Sequence, residues 1–170
     1  MIIQNSIPER AVWDHWMIVE HHVNINFRKD IRGILPQNTF WFSAKLEDKD
    51  LDKLFIISSD DWKDISDNTF KVLRVSENIN KQSINKDTQR LSEDIKRKIN
   101  FINSGGKLDN TLFLVAVSED GPFTLIEGNR RAVAFNFLNI IMDCPVFLGI
   151  SLEMNKYLWA RYSFKNIHGK

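Results

Sequence analysis

The stretch Phe123-Thr-Leu-Ile-Glu-Gly-Asn-Arg-Arg-Ala-Val-Ala-Phe135 carries the strongest fold signal in this chain. Its first four residues are apolar or prone to β-structure, which predicts a short strand. Gly128 follows, and glycine permits backbone angles that other residues resist. The apolar residues that come after Arg130 then predict a buried helix. The stretch therefore predicts a strand, a glycine turn and a helix in succession.

The start of this predicted helix has the chemistry of an anion site. A helix N-terminus presents unbonded backbone N–H groups and a partial positive charge. Arg130 and Arg131 stand beside that terminus. Backbone donors and guanidinium groups together suit a phosphate or another anion. An ordinary strand-to-helix connection, with both arginines paired to surface carboxylates, accounts for the same pattern.

The six residues Glu127-Gly-Asn-Arg-Arg-Ala132 resemble the signature of the ParB/sulfiredoxin superfamily. ParB partition proteins have Gly-Glu-Arg-Arg at this place, and sulfiredoxins have Gly-Cys-His-Arg. This chain has Gly-Asn-Arg-Arg. The resemblance covers residues 70–152 and implies the fold class of the ParB N-terminal-like domain, an α/β arrangement of a small mixed sheet with helices.

The segments around the motif agree with the family in order and length. The family core has the order helix, strand, turn, strand, motif helix, strand. Apolar spacing predicts a helix over residues 88–103, which Ser104, Gly105 and Gly106 end. Strands are predicted over residues 111–117, 123–126 and 144–150. We therefore expect a single domain over residues 1–170, with an aromatic-rich helical and strand extension (1–69), a ParB-like core (70–152) and a closing segment (153–170).

The resemblance also assigns roles to the motif residues. It implies that Arg131 holds a nucleotide phosphate together with backbone N–H groups after Gly128, while Arg130 adds a second contact or faces solvent. Asn129 stands where sulfiredoxins have their catalytic cysteine, and asparagine supplies no thiolate. Asn129 also replaces the ParB glutamate, which puts nucleotide hydrolysis in doubt and leaves binding open. Glu127, the nearest carboxylate, either positions Mg²⁺ or acts as a base, or else simply pairs with an arginine.

Three functions follow from these roles. The first is a nucleotide- or phosphate-binding protein, with Mg²⁺-dependent hydrolysis of a nucleoside triphosphate or phosphoryl transfer as its extension. The second is a ParB-like nuclease acting on nucleic acid. The third is a non-catalytic module for protein interaction whose site has lapsed, which Asn129 favours. Whether the chain is an enzyme stays open. No helix-turn-helix follows the core in this sequence, which argues against centromere recognition.

The composition is that of a globular protein rather than of a membrane or nucleic-acid-coating protein. Of the 170 residues, 43% are hydrophobic and 26% are charged, and the net charge is +1. This charge gives no global attraction to nucleic acid, so any such contact needs a local patch. The single cysteine, Cys144, lies in an apolar run and predicts a buried thiol in a reducing cytoplasm. No signal peptide or membrane span is expected.

Other segments carry weaker expectations. A helix is predicted over residues 8–23, a turn over 35–38, and either a strand or an anchor packed on the core over 40–42. Further predictions are strands over 54–57 and 69–75, a polar surface loop over 76–87, and a helix or strand over 156–164. The histidines of the first helix lack the spacing of a metal pair, which predicts a surface or partly packed role for His15, His21 and His22. The acidic group suggests capping and solubility rather than a calcium loop; its members are Asp60, Asp61, Asp64 and Asp67. Basic residues between 76 and 100 alternate with acidic ones and predict a mixed, solvated face.

Overall fold

The computed structural model describes residues 1–19, 32–33, 35–81 and 85–156. The strands are β1 (Ile2–Ile7), β2 (Phe40–Lys45), β3 (Leu54–Phe55), β4 (Leu112–Ala116), β5 (Phe123–Glu127) and β6 (Val146–Ile150). The α-helices are α1 (Glu9–Val19), α2 (Asp60–Lys63), α3 (Val72–Asn78), α4 (Lys86–Asn103) and α5 (Asn129–Phe137). Short 3₁₀ helices cover Asp48–Lys53, Ile141–Asp143 and Met154–Lys156.

All six strands join one mixed sheet in the order β1-β2-β6-β4-β5-β3. Three neighbouring pairs are antiparallel: β1 with β2, β2 with β6, and β4 with β5. Two pairs are parallel: β4 with β6, and β3 with β5. The predicted α/β class is confirmed. Strands β1, β2 and β3 come from residues 1–69, so the predicted N-terminal extension contributes three of the six strands of this sheet.

The centre of the sheet is covered on both faces. Every residue of β4 is buried, which explains why its sequence is a continuous apolar run without alternation. One face packs on α3, α4 and α5 through the larger apolar cluster. The other face packs on α1 through an aromatic cluster that includes Trp13, Trp16, Trp41 and Phe113. The predicted strand over residues 40–42 is confirmed as part of β2.

Helix α4 begins and ends as the sequence predicts. Its N-cap is Asn85, whose Oδ1 accepts a hydrogen bond from the Asp87 N–H at 2.9 Å. At the other end Gly105 has φ +87°, and the Gly106 N–H donates to the Phe101 carbonyl at 2.9 Å. The Gly105 N–H donates to the Ile102 carbonyl, which completes a Schellman motif. Glycine is required there because an L side chain resists this φ.

The strand predicted over residues 69–75 is wrong, because these residues lead into helix α3. The buried positions Val72, Val75, Ser76 and Ile79 have the spacing of one helical face, which becomes visible only when residues 76–79 are read together with 69–75. The surface loop predicted over residues 76–87 is wrong at its two ends, because residues 76–78 belong to α3 and residues 86–87 belong to α4; residues 82–84 lie outside the described residues. Ser76 and Asn78 are buried, and they satisfy their polar groups on backbone carbonyls.

Several boundaries differ from expectation. Strand β1 was not predicted, since the residues of this edge strand are mostly exposed and show no apolar alternation. Helix α5 ends at Phe137 because Asn139 takes φ +57° and its neighbour Ile140 donates to the Phe135 carbonyl. The first predicted helix is confirmed over Glu9–Val19. Residues 20–23, with His21 and His22, and residues 157–164 lie outside the described residues. In the described part of the chain, no helix combines the length and apolar character needed to cross a bilayer.

Candidate functional site

The predicted strand, glycine turn and helix are present at the end of β5. Strand β5 stops at Glu127, Gly128 takes φ +82°, and α5 starts at Asn129. The Gly128 carbonyl accepts the first helical hydrogen bond, from the Ala132 N–H at 2.7 Å. A Cβ on Gly128 would lie 3.2 Å from Arg131 Nη2. Both the backbone angle and the closeness of Arg131 therefore favour glycine at this position.

Glu127 folds back on the turn that it precedes. Its Oε1 accepts a hydrogen bond from the Gly128 N–H at 2.6 Å and lies 3.9 Å from Arg131 Nη2. This carboxylate therefore neutralises the buried guanidinium and binds the turn backbone. Within the described residues, no group of three His, Cys, Asp or Glu side chains is placed to hold a metal ion.

Asn129 points toward the segment after β3. Its Oδ1 accepts a hydrogen bond from the Ile57 N–H at 3.1 Å. The Asn129 side chain thus holds the start of α5 against a neighbouring loop. A chain separation of 72 residues divides the two partners, so this contact is tertiary rather than local.

The two arginines of the motif have different surroundings. Arg130 is 48% exposed and its Nη1 lies 3.1 Å from Asp94 Oδ2 on α4. Asp94 also pairs with Arg97 one turn further along α4. Arg131 is buried, with 9% of its side chain exposed, and its Nη1 donates to the Asp109 carbonyl at 3.4 Å. The motif thus places one guanidinium at the α4–α5 boundary and the other beneath the loop before β4.

A second polar group lies next to the Arg131 contact, and we call it the His15 cluster, formed by His15, Asp109 and Thr111. His15 Nε2 is 3.0 Å from Thr111 Oγ1 and 3.7 Å from Asp109 Oδ2. Because both partners face the same ring nitrogen, the arrangement lacks the relay of a catalytic triad, in which acid and hydroxyl use opposite nitrogens. The His15 ring also stands edge-on to Phe147 at 5.3 Å. The predicted partly packed role of His15 is confirmed.

Cys144 is buried, as predicted. Burial raises the pKa of its thiol to about 12, with the neighbouring Asp143 carboxylate adding to the rise. The thiol lies 3.8 Å from the Ile140 carbonyl, toward which it donates. A thiol that stays protonated at neutral pH is a weak nucleophile.

A cleft of about 950 Å³ opens between α3 and α4, and the sequence did not predict it. Its walls are the end of α2, the end of α3 and one face of α4. The residues that line it are mostly polar: Asp64, Ile65, Asn78, Asn80, Lys81, Asn85, Thr88, Gln89, Ser92, Glu93 and Lys96. The residues of the Gly128 turn do not line it. The signal available in the sequence was the polar stripe at residues 85, 88, 89, 92 and 96, which has helical spacing beside the apolar stripe.

The predicted acidic and basic groups are spread over several contacts. Asp60 and Asp61 occupy the first turn of α2, where a negative charge is favourable, and the N-cap residue Ser59 makes no side-chain capping hydrogen bond. Asp67 lies 3.3 Å from Arg74 Nε and 3.6 Å from Lys81 Nζ. A hydrogen bond from Asn78, helped by the two cations, lowers the pKa of the Asp67 carboxyl. Within the mixed face predicted over residues 76–100, exposed Arg97 pairs with Asp94 on α4.

Comparison with protein-family models, with curated proteins and with solved structures gave no match to this chain.

Proposed function

We propose that this chain is a non-catalytic interaction module with a ParB-like core, in which the Gly128 turn holds neighbouring segments of the protein together and binds no ligand. The main support for the proposal is that all four polar side chains of the motif contact other groups of the same protein. Glu127 binds the turn backbone, Asn129 binds Ile57, Arg130 pairs with Asp94 and Arg131 is buried against Asp109. Each of these side chains already has a partner within the protein, so an incoming ligand would have to displace that partner before it could bind.

The side-chain amide of Asn129 supports a non-catalytic role for this turn. An amide has no proton to give or take near neutral pH and is no nucleophile, so it replaces neither the thiolate nor the carboxylate that related motifs carry. Its hydrogen bond to Ile57 also gives the amide a sufficient structural reason to be there. The nuclease alternative needs a metal or a general base at the turn, and the nearest carboxylate, that of Glu127, is bonded to the Gly128 N–H.

Binding of a phosphate ligand at the turn is the second candidate. The observation in its favour is the start of α5 immediately behind a left-handed glycine, with two arginines in the first turn. For this function the Arg131 guanidinium would have to leave the Asp109 carbonyl and turn toward the ligand. An interaction module needs no such rearrangement.

Thermal unfolding with nucleoside triphosphates and with inorganic phosphate, each with and without Mg²⁺, separates the two candidates. The module predicts that the melting temperature is unchanged at all ligand concentrations. A binding site predicts a rise that grows with ligand concentration above the dissociation constant. A rise that disappears in Arg131→Ala would overturn the module and support the second candidate.

The matched variant is Arg130→Ala. If the turn has only this structural role, Arg131→Ala lowers the free energy of unfolding by about 1–3 kcal/mol, because buried polar partners lose their hydrogen bonds. Arg130→Ala lowers it by about 0–1 kcal/mol, because its ion pair is half exposed. If the turn binds phosphate, Arg131→Ala weakens binding by roughly ten- to a hundredfold. The two readouts, stability and affinity, therefore distinguish the roles.

A further inference from the structure

We propose that the α3–α4 cleft is the binding site of the module and that it takes a short peptide segment carrying both a positive and a negative charge. This inference rests on the proposed interaction function and assigns a binding site to it. Four properties of the cleft carry the argument: a buried hydroxyl without a partner, a lining of side-chain amides, a balanced set of charges, and its dimensions.

The hydroxyl of Thr88 is the first property. Thr88 lines the cleft with only 3% of its surface exposed, and its Oγ1 has no hydrogen-bond partner among the described residues. A buried polar group without a partner is destabilising, and native structures generally provide one. A ligand that brings a donor or an acceptor to Thr88 removes this penalty.

The amides form the second property. Four side-chain amides line the cleft, those of Asn78, Asn80, Asn85 and Gln89. Asn78 and Asn85 are held in place by hydrogen bonds from their Nδ2 groups to the Ile65 carbonyl and to Asp64. Each amide combines a donor and an acceptor, which is also the hydrogen-bonding pattern of a peptide group. The amides of Asn78 and Asn85 thus shape the wall of the cleft, while those of Asn80 and Gln89 line it with the same kind of group that a peptide backbone pairs with.

The charges form the third property. The lining has two carboxylates, Asp64 and Glu93, and two lysines, Lys81 and Lys96. In the part of the chain that the structure describes, neither Glu93 nor Lys96 has an ion-pair partner. A triphosphate would meet two carboxylates here, and no aromatic ring among the lining residues offers a surface on which a base could stack. A ligand with one ammonium or guanidinium group and one carboxylate matches this balance.

The dimensions form the fourth property. The volume, about 950 Å³, lies at the upper end of the range of small-ligand sites. The α4 wall from Asn85 to Lys96 is about 16 Å long at a rise of about 1.5 Å per residue. This matches about five residues of extended chain. Because the inference rests on a function in protein interaction, we assign this segment to an exposed stretch of a partner protein.

Selection from a library of displayed random hexapeptides tests the inference. We expect enriched peptides that carry both charge signs, and their synthetic forms are then titrated by fluorescence anisotropy. Thr88→Val keeps the shape of the side chain and removes its hydroxyl, and it should weaken binding at least threefold. Lys96→Gln and Glu93→Gln should each weaken binding about tenfold, the factor that corresponds to the loss of one charge-assisted contact.

Arg97→Gln is the matched control, because Arg97 is exposed, pairs with Asp94 and does not line the cleft. It should leave peptide binding unchanged. Binding that is lost when the peptide termini are blocked identifies a free peptide, whereas binding that survives identifies an internal segment of a partner. Failure to enrich any peptide over an unrelated protein would overturn the inference. Equal binding by wild type, Thr88→Val and Lys96→Gln, each verified as folded by its melting temperature, would also overturn it.

The outcome is independent of the nucleotide experiment. A nucleotide-dependent rise in melting temperature that needs Arg131 refutes the module itself. Peptide binding that ignores the cleft variants refutes only the assignment of the cleft.

Discussion

The backbone N–H of Ile57 donates a hydrogen bond of 3.1 Å to the side-chain oxygen of Asn129, and so the first residue of α5 is joined to the segment after β3. Strand β3 has two residues and forms the edge of the sheet beside β5. Few contacts hold so short a strand, and the Asn129 bond adds one at its end. Asn129 therefore has a structural role in this fold.

Replacement of Asn129 tests this role. Asn129→Ala should lower the free energy of unfolding by about 1–3 kcal/mol, since the Ile57 N–H loses its acceptor. Asn129→Asp keeps the acceptor and places a negative charge at a helix N-terminus, where it is favourable, so its stability should equal or exceed that of wild type. Urea denaturation followed by circular dichroism measures both. Equal stabilities for the alanine and aspartate variants would contradict the role.

Gly128→Ala should lower the free energy of unfolding by about 1–2 kcal/mol, because alanine resists the left-handed backbone angle. Gly105→Ala is the control, since Gly105 has φ +87° and its added Cβ would meet nothing within 4 Å. At Gly128 the Cβ would also lie 3.2 Å from Arg131 Nη2. The larger loss is therefore expected for Gly128→Ala. An equal or larger loss for Gly105→Ala would mean that the close approach of Arg131 adds nothing to the destabilisation at Gly128.

Cys144 gives a prediction about alkaline stability. Because its pKa is raised to about 12 in the folded protein, from the ordinary value of 9.0, the folded state keeps a proton that the unfolded state gives up. The stabilisation is complete below pH 9 and is lost as pH rises from 9 toward 12. The free energy of unfolding should fall less steeply over this range in Cys144→Ala than in wild type. A thiol reagent at pH 8 should label native wild type slowly and the urea-unfolded chain at once.

Asp67 gives the corresponding prediction in acid. Its pKa is lowered below the ordinary 3.8, chiefly by the Asn78 hydrogen bond, so its contribution is present above pH 3.8 and is lost as pH falls through the folded value. Asp67→Asn should flatten the acid side of the stability profile. Asparagine suits the site because Asp67 has φ +49°, an angle that asparagine tolerates. An unchanged acid slope in this variant would show that the Asp67 contacts add nothing to stability.

The sequence predicted the Gly128 turn well because its signals are local. A strand, a glycine and an apolar helix follow one another within thirteen residues, and each step has its own residue preference. The end of α4 at Gly105 was equally predictable, since the Schellman motif is closed by neighbouring residues. Local backbone geometry is thus what this chain specifies most directly.

The partners of the motif side chains could not be predicted. Asn129 meets Ile57 and Arg131 meets Asp109 only after distant segments pack together. The cleft was missed for a related reason, since the residues of α3 looked like a strand followed by a loop. Buried polar side chains such as Ser76 and Asn78 weaken the apolar signal of that helix, although tertiary hydrogen bonds stabilise them there.

The pairing of β2 with β6 has a consequence for synthesis of the protein. Phe40 and Trp41 lie opposite Ile150 and Gly149, so a strand made early waits for one made more than a hundred residues later. Until then the apolar side chains and unpaired edge of β2 stay available to other chains. Such distant pairing slows folding. A ribosome-bound chain that ends before Val146 should therefore bind holding chaperones. A longer chain, in which a C-terminal linker carries residues 1–156 clear of the ribosomal exit tunnel, should release them.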